Sequence, residues 1–132
     1  MFNTQIRVNF YDCDPAGILF FANLFKFAHT AYEQMLENFD MKINFFDDDK
    51  FVLPILSADS KFNKPIKTGD NIEISISVTV LKKSSFELRY LFTKKEELLA
   101  EVKTVHVCAD KMKFSKTEMP AELYYALEAN QN

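Results

Sequence analysis

The most regular pattern in this 132-residue chain is an alternation of apolar and polar residues over positions 72–80. Isoleucine or valine occupies each even position, and Glu, Ser or Thr occupies each odd one. A period of two puts the apolar side chains on one face of a β-strand. After a short polar connection, apolar residues alternate again at Phe86, Leu88, Tyr90 and Phe92. The two runs predict a hairpin in an antiparallel sheet with one buried face.

Three further strands are predicted from shorter patterns. In the segment 5–10, Ile6, Val8 and Phe10 alternate with polar residues. The apolar segments 51–62 and 98–109 are also expected to be strands, and polar turns at 67–70 and 94–97 separate them from the central hairpin. Pro54 lies near the start of the segment 51–62, where a missing backbone donor is tolerated.

The segment 20–38 has a helical period instead. Apolar residues recur at three- and four-residue steps, at Leu24, Phe25, Ala28, Tyr32, Met35, Leu36 and Phe39. Phe27 and Ala31 widen this stripe, so we expect a helix that is covered on much of its circumference. A second, short helix is expected over 120–129, because apolar residues follow Pro120 at helical spacing.

The order of elements is strand, helix and then four strands, without an internal repeat or a linker between domains. This order predicts one α+β domain over residues 1–132, in which a curved, mostly antiparallel sheet of about five strands wraps around one long helix. A chain of this length can bury roughly two thirds of its unfolded surface, which is enough for a core.

Charge and composition exclude several classes. Sixteen Lys and Arg against 19 Asp and Glu give a net charge of −3, which argues against general binding to nucleic acid or to an anionic membrane. No run approaches the roughly 18 apolar residues of a spanning helix, and the first residues lack a signal-peptide pattern, so a cytoplasmic protein is expected. The two Cys and two His suggest neither a disulfide nor a metal site, and the acidic run 47–49 is interpreted as a solvated loop.

An acidic turn, Asp12-Cys13-Asp14-Pro15-Ala16-Gly17, separates the first strand from the long helix. Proline fixes its own φ and disfavours helix in the residue before it, and glycine adopts backbone angles that are closed to other residues. The turn is therefore shaped, and it can hold a carboxylate against the N-terminus of the helix that follows.

Read from Phe10 through this turn to Asn23, the string resembles the active-site signature of the 4-hydroxybenzoyl-CoA thioesterase family. That pattern runs approximately aromatic-x-Asp-x-Asp-Pro-Ala-Gly-aliphatic-aliphatic-aromatic, and the family consists of hotdog-fold acyl-CoA thioesterases. The resemblance covers nearly the whole chain. It implies the hotdog fold, and it implies a homodimer joined edge to edge through its sheets, which pairs further into a homotetramer with active sites between subunits.

The resemblance also implies roles for the residues of the signature. Asp14 acts as nucleophile or general base, the backbone N–H of Phe21 polarises the thioester carbonyl, and Gly17 shapes the turn. An isolated Asp-Pro pair is more often only a turn former. A related branch has histidine at position 21, and because phenylalanine cannot transfer a proton, that task falls on Asp14 and water. Asp12 is expected to bond the turn rather than to react.

Substrate contacts are expected from two other groups of residues. Phe20 and Phe25 are predicted to line the acyl pocket. Lys82, Lys83 and Ser85 match a basic hairpin that grips the phosphates of coenzyme A, although such a hairpin is more often simply solvated and the family's version is richer in arginine. A second basic stretch, Lys61, Lys64 and Lys67, faces either the nucleotide or the solvent.

The predicted function is the hydrolysis of a small or aromatic acyl-CoA, with no cofactor beyond the coenzyme A of the substrate. The 14 Phe agree with an acyl pocket or an oligomer interface, and codon bias explains them equally well. Two alternatives have the same fold. One is a dehydratase acting on carrier-bound acyl chains, but that reaction normally uses a histidine, and His29 is expected to be a polar break or an interface residue. The other is a non-catalytic acyl-CoA-binding or regulatory module.

Overall fold

The computed structural model describes all 132 residues. Its elements are β1 (Phe2–Arg7), α1 (Phe21–Asn38), β2 (Phe51–Val52), β3 (Ile55–Phe62), β4 (Asn71–Leu81), β5 (Ser85–Lys94), β6 (Glu97–Val107), β7 (Ala109–Asp110), β8 (Ser115–Lys116) and α2 (Ala121–Ala129). Five strands form one antiparallel sheet in the order β1-β4-β5-β6-β3, and β2, β7 and β8 form a small second sheet. Neither helix is long and apolar enough to span a membrane.

The predicted alternation creates the core. Most apolar side chains of the alternation in β4 and β5 are buried, while Val80 at the end of β4 is 40% exposed; the buried ones include Ile72, Ile74, Ile76, Val78, Phe86, Leu88 and Phe92. On α1 the buried positions are Leu24, Phe27, Ala28, Ala31, Tyr32, Met35 and Leu36, and they join the sheet in one cluster. Complete burial of one such side chain contributes about 1.5–3 kcal/mol. The α+β architecture with a five-stranded sheet and one long helix is therefore confirmed.

A buried chain of polar side chains crosses the sheet within this core. His106 is completely buried, and its Nε2 lies 2.8 Å from the Thr104 hydroxyl, which lies 2.9 Å from the Tyr90 hydroxyl. The imidazole stacks on the Phe86 ring at 4.8 Å between ring centres. Burial lowers the pKa of His106 to about 4, with a smaller contribution from the charge of His29, while the carbonyl of Leu53 opposes the shift. The side chain is therefore a neutral packing residue at physiological pH.

Two strand boundaries differ from the prediction. The first strand ends at Arg7, and Phe10–Asp12 forms a 3₁₀ turn in which the Asn9 N–H donates to the Asp12 carboxylate at 2.8 Å. Phe10 was expected on a buried strand face but is 77% exposed. The segment 51–62 is broken at Pro54, which has no N–H for the ladder, so that β2 pairs with β7 and β3 pairs with β6.

The edge strand β3 is exposed along its whole length. Only one of its sides is paired, with β6, and all eight of its residues are exposed, including the apolar Ile55, Leu56 and Phe62. An edge strand of this length, with unpaired backbone groups, is a template for pairing with another strand.

Candidate active site

The acidic turn folds into a small hairpin. The N–H of Asp14 donates to the Ile18 carbonyl, and the N–H of Gly17 donates to the Asp14 carbonyl, each at 2.9 Å. Pro15 is the first central residue of this turn, a position at which the fixed φ of proline is favourable. Gly17 has φ 78°, in the left-handed region. The sequence Asp-Pro-Ala-Gly therefore favours a hairpin in which three residues, 15–17, connect Asp14 to Ile18.

This hairpin orients one oxygen of Asp14 and leaves the other available. Oδ1 accepts a hydrogen bond from the Ala16 N–H at 2.9 Å, the usual contact of an aspartate that begins a turn. Oδ2 has no hydrogen-bond partner in the protein. Because the side chain is half-buried, the carboxylate is held in place and still accessible to a ligand.

Asp12 is buried, and both of its carboxylate oxygens have partners within the protein. Its side chain is 2% exposed, and its two oxygens accept from the Asn9 N–H at 2.8 Å and from the Lys26 ammonium at 3.2 Å. Its carbonyl accepts from the Phe20 N–H at 3.0 Å and from the Asn23 side-chain amide at 2.8 Å. Asp12 thus joins the turn to the start of α1, which supports the structural role expected for it.

The N-terminus of α1 offers unpaired donors. Phe20, the residue before the helix, is extended and has no side-chain cap, and its carbonyl accepts the Asn23 N–H. The N–H groups of Phe21 and Ala22 have no acceptor in the protein. Free N–H groups at a helix start carry partial positive charge, and no acidic residue in the first turn competes for them. This end of α1 can therefore stabilise an oxyanion.

Asp14 and the start of α1 open onto one cleft of about 460 Å³. Its walls are Asp14, the segment 18–21 and the segment 62–65. Phe20 and Phe21 are 47% and 65% exposed, and their ring centres are 5.0 Å apart. The structure thus brings together Asp14, Phe20 and Phe21, with Gly17 in the adjoining turn.

Phe25 lies in a neighbouring cavity of about 310 Å³ between α1 and β3. Ala28 and His29 line it from α1, Ile55 and Ala58 from β3, and Tyr90 and Thr104 from the sheet. Phe21 and Phe25 are about one helical turn apart. On β3, Phe62 borders the Asp14 cleft and Ala58 borders the second cavity, so both cavities follow the border between α1 and β3.

Lys82, Lys83 and Ser85 are not part of this cleft. They belong to the hairpin between β4 and β5, where the Lys82 N–H donates to the Ser85 carbonyl at 2.9 Å. The turn 67–70 beside Gly17 precedes the opposite end of β4, and an 11-residue strand is roughly 35 Å long. Within one chain these lysines and Asp14 cannot contact the same part of a ligand, so their contribution to this site would require another copy of the chain.

Of the cleft wall at 62–65, only Lys64 was singled out from the sequence, as part of a basic stretch. No local pattern marks Phe62, Asn63 or Pro65, because they reach the site through long-range contacts. The N–H of Leu19 donates to the Ile66 carbonyl at 2.7 Å, and the N–H of Thr68 donates to the Gly17 carbonyl at 3.3 Å. The basic stretch that includes Lys64 and Lys67, beside the predicted turn, was the available signal.

Replacement of Gly17 with alanine should lower both stability and turnover. No atom lies within 4 Å of the position that a new Cβ would occupy, so the cost of about 1 kcal/mol comes from the left-handed backbone alone. Gly69→Ala is a matched control, since Gly69 has φ 87° and equally open surroundings. Thermal unfolding should show similar losses in both variants, but kcat should fall only in Gly17→Ala. Equal kcat values would contradict a role of this turn in positioning Asp14.

Comparison with known proteins shows the family of the chain. Residues 8–127 match the model of the thioesterase-like superfamily. The chain is 36% identical to a 1,4-dihydroxy-2-naphthoyl-CoA hydrolase from Nostoc punctiforme, over 98% of this chain and 88% of the relative, and 36% identical to a protein of the same name from Microcystis aeruginosa, over 88% and 85%.

Solved structures with a similar fold are also thioesterases. A 1,4-dihydroxy-2-naphthoyl-CoA thioesterase from Synechocystis superposes with a TM-score of 0.88 at 27% identity, covering 96% of this chain and 94% of that one. A gentisyl-coenzyme A thioesterase superposes with a TM-score of 0.84 at 29% identity, covering 95% and 98%. The family match, the sequence identities and the fold agree, and the chain belongs to the thioesterase-like superfamily as a hotdog-fold thioesterase.

Proposed function

We propose that this protein hydrolyses an aromatic acyl-CoA, with Asp14 as the reactive carboxylate and the Phe21 N–H as an oxyanion donor. One observation carries the proposal: Asp14, whose Oδ2 has no partner, and Phe21, whose N–H has no acceptor, line the same apolar cleft. Thioester hydrolysis needs a nucleophile or base on one side of the carbonyl and hydrogen-bond donors for the oxygen on the other.

Two routes use these groups. In the nucleophilic route, Oδ2 bonds to the thioester carbon, the carbon–sulfur bond breaks with departure of the CoA thiolate, and water hydrolyses the resulting anhydride. In the general-base route, Asp14 takes a proton from water as that water attacks the carbon, and the proton is then passed to the departing sulfur. Phe21 contributes its backbone N–H in both routes, and its ring lines the cleft.

The proposed acyl group is aromatic and carries hydroxyls. The relatives with sequence matches are named for 1,4-dihydroxy-2-naphthoyl-CoA, and a structural relative is named for gentisyl-CoA. The rings of Phe20, Phe21 and Phe62 provide apolar walls that suit a planar acyl group. The cavity beside Phe25 would accommodate the part of a larger ring system that extends along α1.

The functional unit that we propose is a homodimer, which pairs further into a homotetramer. The exposed edge of β3 supports edge-to-edge pairing of two sheets. Association of this kind would place a second copy beside the border of α1 and β3, where the two cavities lie. It is also the arrangement in which Lys82, Lys83 and Ser85 of one subunit could approach a ligand held by another.

Free-thiol release from a panel of acyl-CoAs tests the proposal. The panel should contain 1,4-dihydroxy-2-naphthoyl-CoA, gentisyl-CoA, benzoyl-CoA, and short and medium straight-chain acyl-CoAs. We expect kcat/KM to be at least about tenfold higher for the hydroxylated aromatic substrates than for the straight chains, because only a planar ring can stack in the cleft. Tight binding of all the thioesters without thiol release would instead identify a non-catalytic acyl-CoA-binding module.

A further inference from the structure

A third cavity, which is polar and is called the lysine cavity below, adjoins the Asp14 cleft. It has a volume of about 240 Å³ and shares Lys64 and Pro65 with the cleft. Three lysines and two carboxylates border it, and its full set of lining residues is Lys64, Pro65, Lys67, Asp70, Lys94, Glu97 and Leu99. A ligand whose reactive end lies at Asp14 could therefore continue past the segment 62–65 into a site with a different chemical character.

One lysine of this cavity is already neutralised by a fixed partner. The Lys94 ammonium lies 2.7 Å from Oδ1 of Asp70, and the Asp70 side chain is largely buried. Oδ2 of Asp70 accepts the backbone N–H of Lys67 at 2.9 Å. Burial alone would raise the pKa of Asp70, but these two hydrogen bonds and the charges of Lys94 and Lys67 lower it overall. Asp70 therefore stays ionised, holds the turn 67–70 and compensates Lys94.

The other two lysines remain available to an anion. The Lys64 ammonium lies 3.0 Å from Glu97, but both side chains are more than half exposed, so the pair is worth at most about 1 kcal/mol. A multiply charged ligand can displace Glu97 from Lys64. Lys67 has no carboxylate within ion-pair distance of its ammonium group, although its backbone N–H is used by Asp70. The cavity thus keeps an excess of positive charge.

The position of Lys67 relative to the reactive carboxylate is set by the backbone. Residues 18 and 67 form an antiparallel bridge, and the Thr68 N–H donates to the Gly17 carbonyl. Lys67 therefore lies beside the hairpin that carries Asp14, whereas Lys82 and Lys83 lie at the far end of β4. In coenzyme A the flexible pantetheine arm separates the thioester from the diphosphate. The segment 62–65 borders both the Asp14 cleft and the lysine cavity, so a pantetheine arm could run along it from one to the other.

We propose that this cavity binds the diphosphate of coenzyme A through the ammonium groups of Lys64 and Lys67. The inference rests on the proposed function, because it takes the thioester to lie at Asp14. Lysines act here as point charges that neutralise phosphate oxygens. The basic stretch was expected to face either the nucleotide or the solvent. In this proposal Lys64 and Lys67 face the nucleotide part of the ligand.

The decisive experiment compares two substrates with the same acyl group, one an acyl-CoA and the other an acyl-pantetheine that lacks every phosphate. In the double variant Lys64→Ala, Lys67→Ala, KM for the acyl-CoA should rise about tenfold or more, since two charge-assisted contacts are lost. KM for the acyl-pantetheine should rise much less, because that substrate has no phosphate and only Lys64 of the two lysines borders the Asp14 cleft. An unchanged KM for the acyl-CoA, or an equal rise for both substrates, would overturn the inference.

Two further double variants make the result specific. Lys113→Ala with Lys116→Ala removes the same charge from the exposed β7–β8 hairpin, which borders neither cavity, and should leave both KM values unchanged. Lys82→Ala with Lys83→Ala tests the hairpin between β4 and β5. If only the latter variant raises KM for the acyl-CoA, the diphosphate lies at that hairpin and the inference is wrong. Dephospho-CoA thioesters should respond to Lys64→Ala, Lys67→Ala as fully as CoA thioesters do, because they retain the diphosphate.

Calorimetric binding of free coenzyme A separates this inference from the proposed function. A wild-type protein that binds coenzyme A but releases thiol from no acyl-CoA contradicts only the proposed hydrolysis. In that case, weaker binding of coenzyme A by the Lys64→Ala, Lys67→Ala variant still supports the diphosphate site, and equal binding overturns it. A wild-type protein that releases thiol but does not bind coenzyme A contradicts only the diphosphate site, and one that does neither contradicts both.

Discussion

Replacing Asp14 with asparagine should lower kcat at least about a hundredfold and leave the free energy of unfolding close to that of the wild type. The asparagine side-chain oxygen can still accept the Ala16 N–H, so the turn keeps its shape. The substitution removes the charge of the unpartnered Oδ2, and an amide can neither attack a thioester nor take a proton from water. Loss of a positioned base or nucleophile costs a factor of this size.

The measurement is thiol release under saturating acyl-CoA, together with chemical unfolding of both proteins. Asp47→Asn is a matched control, because it makes the same change in an exposed loop that borders neither the cleft nor the lysine cavity. It should retain wild-type kcat. If Asp14→Asn retains near-normal turnover, Asp14 is only a turn residue, and the reactive group must be sought elsewhere in the cleft.

Mild acid should destabilise the fold through His106. The folded-state pKa of this buried imidazole is about 4, against an ordinary value of 6.5. Between these pH values the unfolded chain binds a proton that the folded chain does not. The contribution of the neutral His106 to the free energy of unfolding is therefore largest above pH 6.5 and declines as the pH falls towards 4. The whole shift corresponds to about 3 kcal/mol, of which about 2 kcal/mol should be lost between pH 7 and pH 5.

Denaturant unfolding at pH 7 and pH 5, at one protein concentration, measures this loss. His106→Phe keeps a flat ring against Phe86, and Thr104 keeps its hydrogen bond with Tyr90, so the variant folds without the titrating group. Its stability should change much less between the two pH values. His29→Gln, at an exposed position of α1, should retain most of the wild-type loss. An equal loss in wild type and His106→Phe would assign the acid sensitivity to other groups.

The central sheet could be predicted from sequence because β4 and β5 each have one buried and one more exposed face. That difference in environment is what imposes the period of two, as the buried Ile72 and Phe86 illustrate. The boundaries near the N-terminus could not be predicted in the same way. Phe10 continues the alternation of Ile6 and Val8 in sequence. In the structure, however, Phe10 belongs to the 3₁₀ turn that the hydrogen bond from the Asn9 N–H to the Asp12 carboxylate closes, and it is not part of the strand.

Prediction of the site had a similar limit. Asp14, Gly17 and Phe21 lie within eight consecutive residues, so a single string of sequence contains both the carboxylate and the start of the helix. The opposite wall, at 62–65, depends on hydrogen bonds between segments about 50 residues apart, such as that from Leu19 to Ile66. Likewise, spacing along the chain places Lys82 at the far end of β4 from the turn 67–70, but it does not show that this turn lies beside the Asp14 hairpin.

The division of the cleft between two chain segments has a consequence for how its selectivity can change. The groups proposed to perform the chemistry are confined to residues 14–21, whereas Phe62 and Lys64 belong to the other wall of the cleft. Substitutions at 62–67 can therefore alter the fit of an acyl or nucleotide group while the carboxylate and the helix start stay in register. A new substrate can therefore evolve through substitutions in this segment, while the groups proposed for the reaction stay the same.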